Sequence, residues 1–172
     1  AGSMNSEGGE IEVVAEGEIR HLIDALTGKA DTEAVETPES FIGELRPYQK
    51  TGLDWLAQMT DLGFGVCLAD DMGLGKTIQV IAMLLANQER DKWSDRPALL
   101  ICPTSVLGNW EHELKKFGPS LEVLRHHGRG RATSLAELKS RMKNHQVILT
   151  TYVIARMDQE MLSDFTWSHL VI

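Results

Sequence analysis

Residues 67–79 read CLADDMGLGKTIQ, an apolar run followed at once by a glycine-bearing turn that ends in Lys76 and Thr77 and opens into a helical pattern. A strand over 64–69, a phosphate-binding loop and a helix from Thr77 follow from that order. Gly73 and Gly75 let the backbone approach an anion closely, and the helix start presents unpaired amides with the positive end of its dipole. Lys76 is expected to reach the β and γ phosphates, and the Thr77 hydroxyl to sit on Mg²⁺. The strict signature G-x-x-x-x-G-K-[ST] has glycine where this chain has Asp70. The chemistry needs only the turn at Gly73-Leu74-Gly75 with Lys76-Thr77 at the helix start. An ordinary strand-to-helix turn would account for G-x-G alone.

Outward from the loop the pattern alternates. Helices are expected over 77–89, 106–117 and 135–143, and strands over 98–102, 121–124 and 146–149, after a helix that starts at Pro47 and ends near Gly63. Runs such as ALLIC and VILTT are apolar throughout, as parallel strands covered on both faces must be. The fold class is therefore α/β with a mostly parallel sheet, and ligands bind at the carboxyl ends of its strands. Residues 70–77, 103–105 and 150–152 lie at such ends. WSHLVI, over 167–172, reads as the start of a further buried strand, so the sheet is expected to be incomplete at its C-terminus. Its unpaired edge predicts dimerisation or strand exchange.

With 172 residues and 42% hydrophobic content, the chain is long enough to bury roughly 70% of its unfolded surface. Cys67 and Cys102 lie in apolar runs and are expected in the core, which points to a reducing compartment. No stretch approaches the roughly 18 apolar residues of a membrane span, so a soluble, intracellular protein with no membrane partner is expected. The net charge of −8 argues against a generic nucleic-acid coat, but much of the acid precedes residue 45, leaving room for a local basic groove. The compact basic run is Arg125-His126-His127-Gly128-Arg129-Gly130-Arg131, expected as a solvated turn that could steer a phosphate backbone.

Residues 1–17 read as a cloning remnant, Ala1-Gly2-Ser3-Met4, and a disordered acidic tail. Residues 18–40 read as a short helix and an acidic linker broken by Pro38, and the folded domain as 41–172.

LRPYQKTGLDWL, LADDMGLGKTIQ, LLICPTSVLGNWEHELKKF and VILTTYVIARM together, in this order, resemble the Swi/Snf family of superfamily-two helicase-like, DNA-dependent ATPases, in the manner of bacterial and archaeal members. The resemblance spans 41–172. It implies a three-layer P-loop NTPase (RecA-like) lobe, the first of two, using ATP and Mg²⁺ and translocating on double-stranded DNA to remodel DNA-bound proteins. It implies a nucleotide site of Arg46, Gln49, Asp70, Met72, Gly73, Leu74, Gly75, Lys76 and Thr77, with Gln49 at the adenine edge and Lys76 and Thr77 serving catalysis. Pro103, Thr104, Ser105, Thr150 and Thr151 match segments that touch the DNA backbone. From residue types alone, Thr104 or Ser105 could equally be a helix N-cap. Asp71 stands where the family usually has glutamate. The family's Asp-Glu pair would follow Ile172 and its arginines come from a second lobe, so the isolated chain is expected to hydrolyse ATP negligibly. The location implied is cytoplasmic and nucleoid-associated in a prokaryote, nuclear in a eukaryote. A P-loop kinase and a non-catalytic interaction module are the alternatives from other classes.

Overall fold

The computed structural model describes residues 34–90 and 96–172, the backbone of 2–6 and 9–13, and Arg20. Its sheet is built from the apolar runs: β3 (Ala98–Cys102), β4 (Val123–Arg125), β5 (Val147–Thr151) and β6 (Leu170–Val171). They lie in the order β4-β5-β3-β6 and every pairing is parallel, with Ala98 opposite Val147 and Cys102 opposite Thr151. All five residues of β5 are buried, as a central strand requires.

Alternate residues of these strands face opposite layers. Leu100, Val147 and Leu149 pack with α1 (Pro47–Asp61), α2 (Lys76–Glu89) and α3 (Leu107–Phe117) through Leu53, Leu56, Ile81, Leu84 and Leu114. Leu99 and Ile148 face the other way, onto Leu138 and Met142 of α4 (Leu135–Met142) and Leu162 of α6 (Gln159–Ser163). A short α5 (Tyr152–Met157) leads directly out of β5. Helix, sheet and helix make the three layers.

Three expectations change. The run over 64–69 forms no strand: Phe64 and Val66 are exposed and only Leu68 packs partly against the core. Strand propensity is realised only when a neighbour supplies the hydrogen-bond ladder, and one edge strand of the sheet, β6, has only two residues. Cys67 is accordingly exposed, while Cys102 is buried as expected. At the N-terminus, the tail contains an antiparallel pair, β1 (Gly2–Ser6) and β2 (Gly9–Val13), with Met4 opposite Ile11. The helix expected within 18–26 lies outside the described residues, apart from Arg20.

Leu149 is fully buried at the centre of the sheet. Leu149→Ala should cost about 2–5 kcal/mol in urea unfolding with an unchanged m-value.

Candidate functional site

The turn leading directly into α2 owes its shape to two left-handed glycines, Gly73 (φ 86°) and Gly75 (φ 79°), the second being the N-cap of α2. No side chain caps that helix, so its first-turn amides are left for a ligand. Gly75 has a second reason to be glycine: a Cβ there would stand 2.5 Å from Gln49 Nε2.

Gln49 is buried and both ends of its amide are engaged. Its oxygen accepts from the Arg46 N–H at 2.9 Å, and its nitrogen donates to the Leu74 carbonyl at 3.0 Å. Tyr48 donates its hydroxyl to the same carbonyl at 3.3 Å. The residue expected at an adenine edge thus ties the first turn of α1 to the loop.

A second tie was not anticipated from the sequence. Gln79, on the first turn of α2 and fully buried, donates to the Asp70 carboxylate at 2.9 Å. Its oxygen lies where a Cβ on Gly52 would be, at 1.8 Å, so α1 and α2 meet through a glycine. The signal available was a glycine inside the helical pattern of α1. Asp70, at the position a strict signature gives to glycine, is the acceptor for this tie.

Lys76 donates its ammonium to the carbonyls of Asp70 (2.5 Å) and Asp71 (3.0 Å), which places the charge over the loop. Thr77 is half-buried beside it, while Met72 and Leu74 stand exposed at the crest. Among the described residues no group of three His, Cys, Asp or Glu side chains could hold a metal ion.

Because the four strands of the main sheet are parallel, their carboxyl ends share one edge. Pro103, Thr104 and Ser105 follow β3 there and are exposed. The N-cap of α3 is Val106, and no side chain caps either α3 or the 3₁₀ turn of Thr104–Val106, so neither hydroxyl serves as an N-cap. Thr150 and Thr151 differ from expectation: both are buried. Thr150 donates its hydroxyl to the His126 carbonyl at 2.8 Å, and Thr151 caps α5 by accepting from the Ile154 N–H at 3.5 Å. Their side chains are taken up by bonds that hold the strand-end edge together. Burial of the last strand residues is what a central strand imposes.

The basic run is also less solvated than expected. His126 is buried at 1% exposure, with Nε2 2.8 Å from Asp158 Oδ2. Arg131 donates to the same carboxylate through Nε at 2.8 Å and through a terminal nitrogen at 3.4 Å. Burial works to raise the Asp158 pKa, but the hydrogen bonds and charge of Arg131 and His126 outweigh it and hold the carboxyl below its usual range.

Residues 48–172 match the family model for the SNF2-related domain. The chain belongs to the SNF2-related family. It is 44% identical over 155 residues to YwqA of Bacillus subtilis (strain 168), which carries an ATP-dependent helicase/translocase name, covering 90% of this chain and 17% of that protein. Helicase SWR1 of Candida albicans is 36% identical over 180 residues, covering 99% of this chain and 11% of the relative. Among solved structures, the Sulfolobus solfataricus SWI2/SNF2 ATPase core in complex with dsDNA superposes with a TM-score of 0.70 at 39% identity, covering 81% of this chain and 27% of that one. The chain therefore spans well under a third of each of these SNF2-related proteins. Its all-parallel sheet and helix layers are those of their RecA-like lobe.

Linkage gives the acid behaviour of this SNF2-related lobe a definite sign. A carboxyl with a lowered folded-state pKa contributes stability above the ordinary carboxylate value of about 3.9, and loses it as pH falls through the lowered value. Urea unfolding of wild type and Asp158→Asn should therefore differ most near neutrality, wild type being the more stable, and the gap should close below about pH 4.

Proposed function

We propose that this chain is the nucleotide-gripping part of an ATP-dependent translocase acting on double-stranded DNA. The observation that carries the reading is the loop of Gly73 to Thr77. Two left-handed glycines open into the uncapped N-terminus of a 14-residue helix, with Lys76 above it and Gln49 and Gln79 bracing it from behind. Backbone amides there would hold phosphate oxygens, and Lys76 would move from the Asp70 and Asp71 carbonyls to the terminal phosphates. Thr77 would hold Mg²⁺, which when bound neutralises charge on the phosphates. Support for DNA as the track comes from the Sulfolobus core described in complex with dsDNA and from the exposed Thr104 and Ser105 on the strand-end edge. Hydroxyls and backbone amides at such a turn hold phosphates without reading sequence, as a translocase requires.

Phosphoryl transfer is mostly positioning and electrostatics, and arginines supplied from a second domain are worth roughly 10³ to 10⁵ in rate. On the family resemblance these come from outside the 172 residues, so the isolated chain binds Mg-ATP but hydrolyses it negligibly. In the full-length protein, Lys76→Ala should lower DNA-stimulated ATP hydrolysis by at least about 10²-fold. Unchanged turnover would overturn the role of this loop. Mg-ATP at about a hundred times its Kd should stabilise the wild type by roughly 2.7 kcal/mol in thermal unfolding. Stabilisation by a second, phosphate-accepting substrate would point to a kinase.

A further inference from the structure

On the same edge of the sheet as Thr104 and Ser105, β4 ends in the basic segment 125–131, and both ends of that segment are held. At the first end, the His126 N–H donates to the Leu149 carbonyl at 2.9 Å, and its own carbonyl accepts from the Thr150 hydroxyl at 2.8 Å. Its ring meets Asp158. At the other end, Arg131 reaches the same carboxylate. Asp158 sits where α5 passes into α6, so a single group spans the loop mouth. Between the two ends, Gly128 turns the chain in the left-handed region (φ 74°), and Arg141 donates to the Gly130 carbonyl at 2.6 Å.

The arginines of this region are not equivalent. Arg125 pairs with Glu111 at 3.1 Å, Arg141 with Glu137, and Arg131 with Asp158. Arg129, at the exposed tip, has no carboxylate partner among the described residues. A glycine-flanked tip would ordinarily be mobile. Here a buried histidine and a mostly buried aspartate, side-chain exposures 1% and 13%, keep it in one place. Burying those groups is costly unless they pair, and their joint effect is to fix where Arg129 projects. The carboxyl ends of β4 and β3 are separated by β5, hence by about 10 Å at the usual strand spacing. Because successive phosphates of one strand stand farther apart through space than the roughly 3.4 Å axial rise, a gap of that size corresponds to about two consecutive phosphates.

We propose that Arg129 contacts the DNA backbone, extending the exposed Thr104–Ser105 turn into a track for one strand, and that Asp158 is the positioning residue that holds it there. This rests on the DNA-translocase reading above.

The test is fluorescence anisotropy of the full-length protein with a labelled 25-base-pair duplex between 50 and 200 mM KCl, for wild type, Arg129→Ala, Asp158→Asn, Asp158→Glu and the double variant Arg129→Ala/Asp158→Asn. Losing one phosphate contact lowers the slope of log affinity against log salt by about one. The deficit of Arg129→Ala should therefore shrink about fourfold across that range. Asp158→Asn should show the same change in slope, Asp158→Glu should recover part of it, and the double variant should add nothing. Mg-ATP affinity without DNA should stay at the wild-type value in every variant. If Asp158→Asn lowers Tm but keeps the wild-type slope, or Arg129→Ala keeps it, the inference is wrong while the translocase reading stands. If the wild type has no affinity for duplex DNA, the translocase reading falls, and this inference with it.

Discussion

Everything at the proposed nucleotide site depends on α1 lying flush against the loop that precedes α2. The approach is so close that side chains at Gly52 and Gly75 would collide with Gln79 and Gln49. Those two glutamines fill the space and donate to the loop at Asp70 and Leu74. A phosphate cradle binds by having its amides already pointed inward, because ordering them at the moment of binding would cost conformational entropy. On the proposed reading, the bracing from α1 spares that cost and makes Asp70 compatible with a phosphate-binding loop. Its carboxylate faces back toward α2 as an acceptor for Gln79.

The parallel sheet does the rest of the positioning. The carboxyl ends of all four strands emerge on one edge, so an exposed hydroxyl turn after β3 and a basic loop after β4 come into line without being near each other in sequence. Buried threonines at the end of β5 bond the intervening backbone, leaving Tyr152 half-exposed beside them. The edge thus divides its work between side chains that hold the scaffold and side chains that face outward.

Much of this could be read from residue order. GLGKT after an apolar run marked the loop, ALLIC and VILTT marked β3 and β5, and Pro47 marked the start of α1, because each signal is local and periodic. What escaped is nonlocal or short. His126, Arg131 and Asp158 lie 27 to 32 residues apart at their bonds, and no periodicity links them. Helices α5 and α6 have six and five residues, too few to show a helical repeat. Residues 64–69 have the composition of a strand, yet a strand exists only with a partner, which composition cannot reveal. Thr150 and Thr151 suited a phosphate contact by type, and only the place of β5 inside a sheet covered on both faces shows them buried.

The bracing of the loop by Gln49 is the central claim, and calorimetric titration of the full-length protein with Mg-ATP and with Mg-tripolyphosphate tests it most directly. If Gln49 acts through the Leu74 carbonyl, Gln49→Ala weakens both ligands by the same factor, about tenfold for one lost hydrogen bond of roughly 1.4 kcal/mol. If ATP binding weakens while tripolyphosphate binding is untouched, the glutamine serves the base and the account of the loop is wrong.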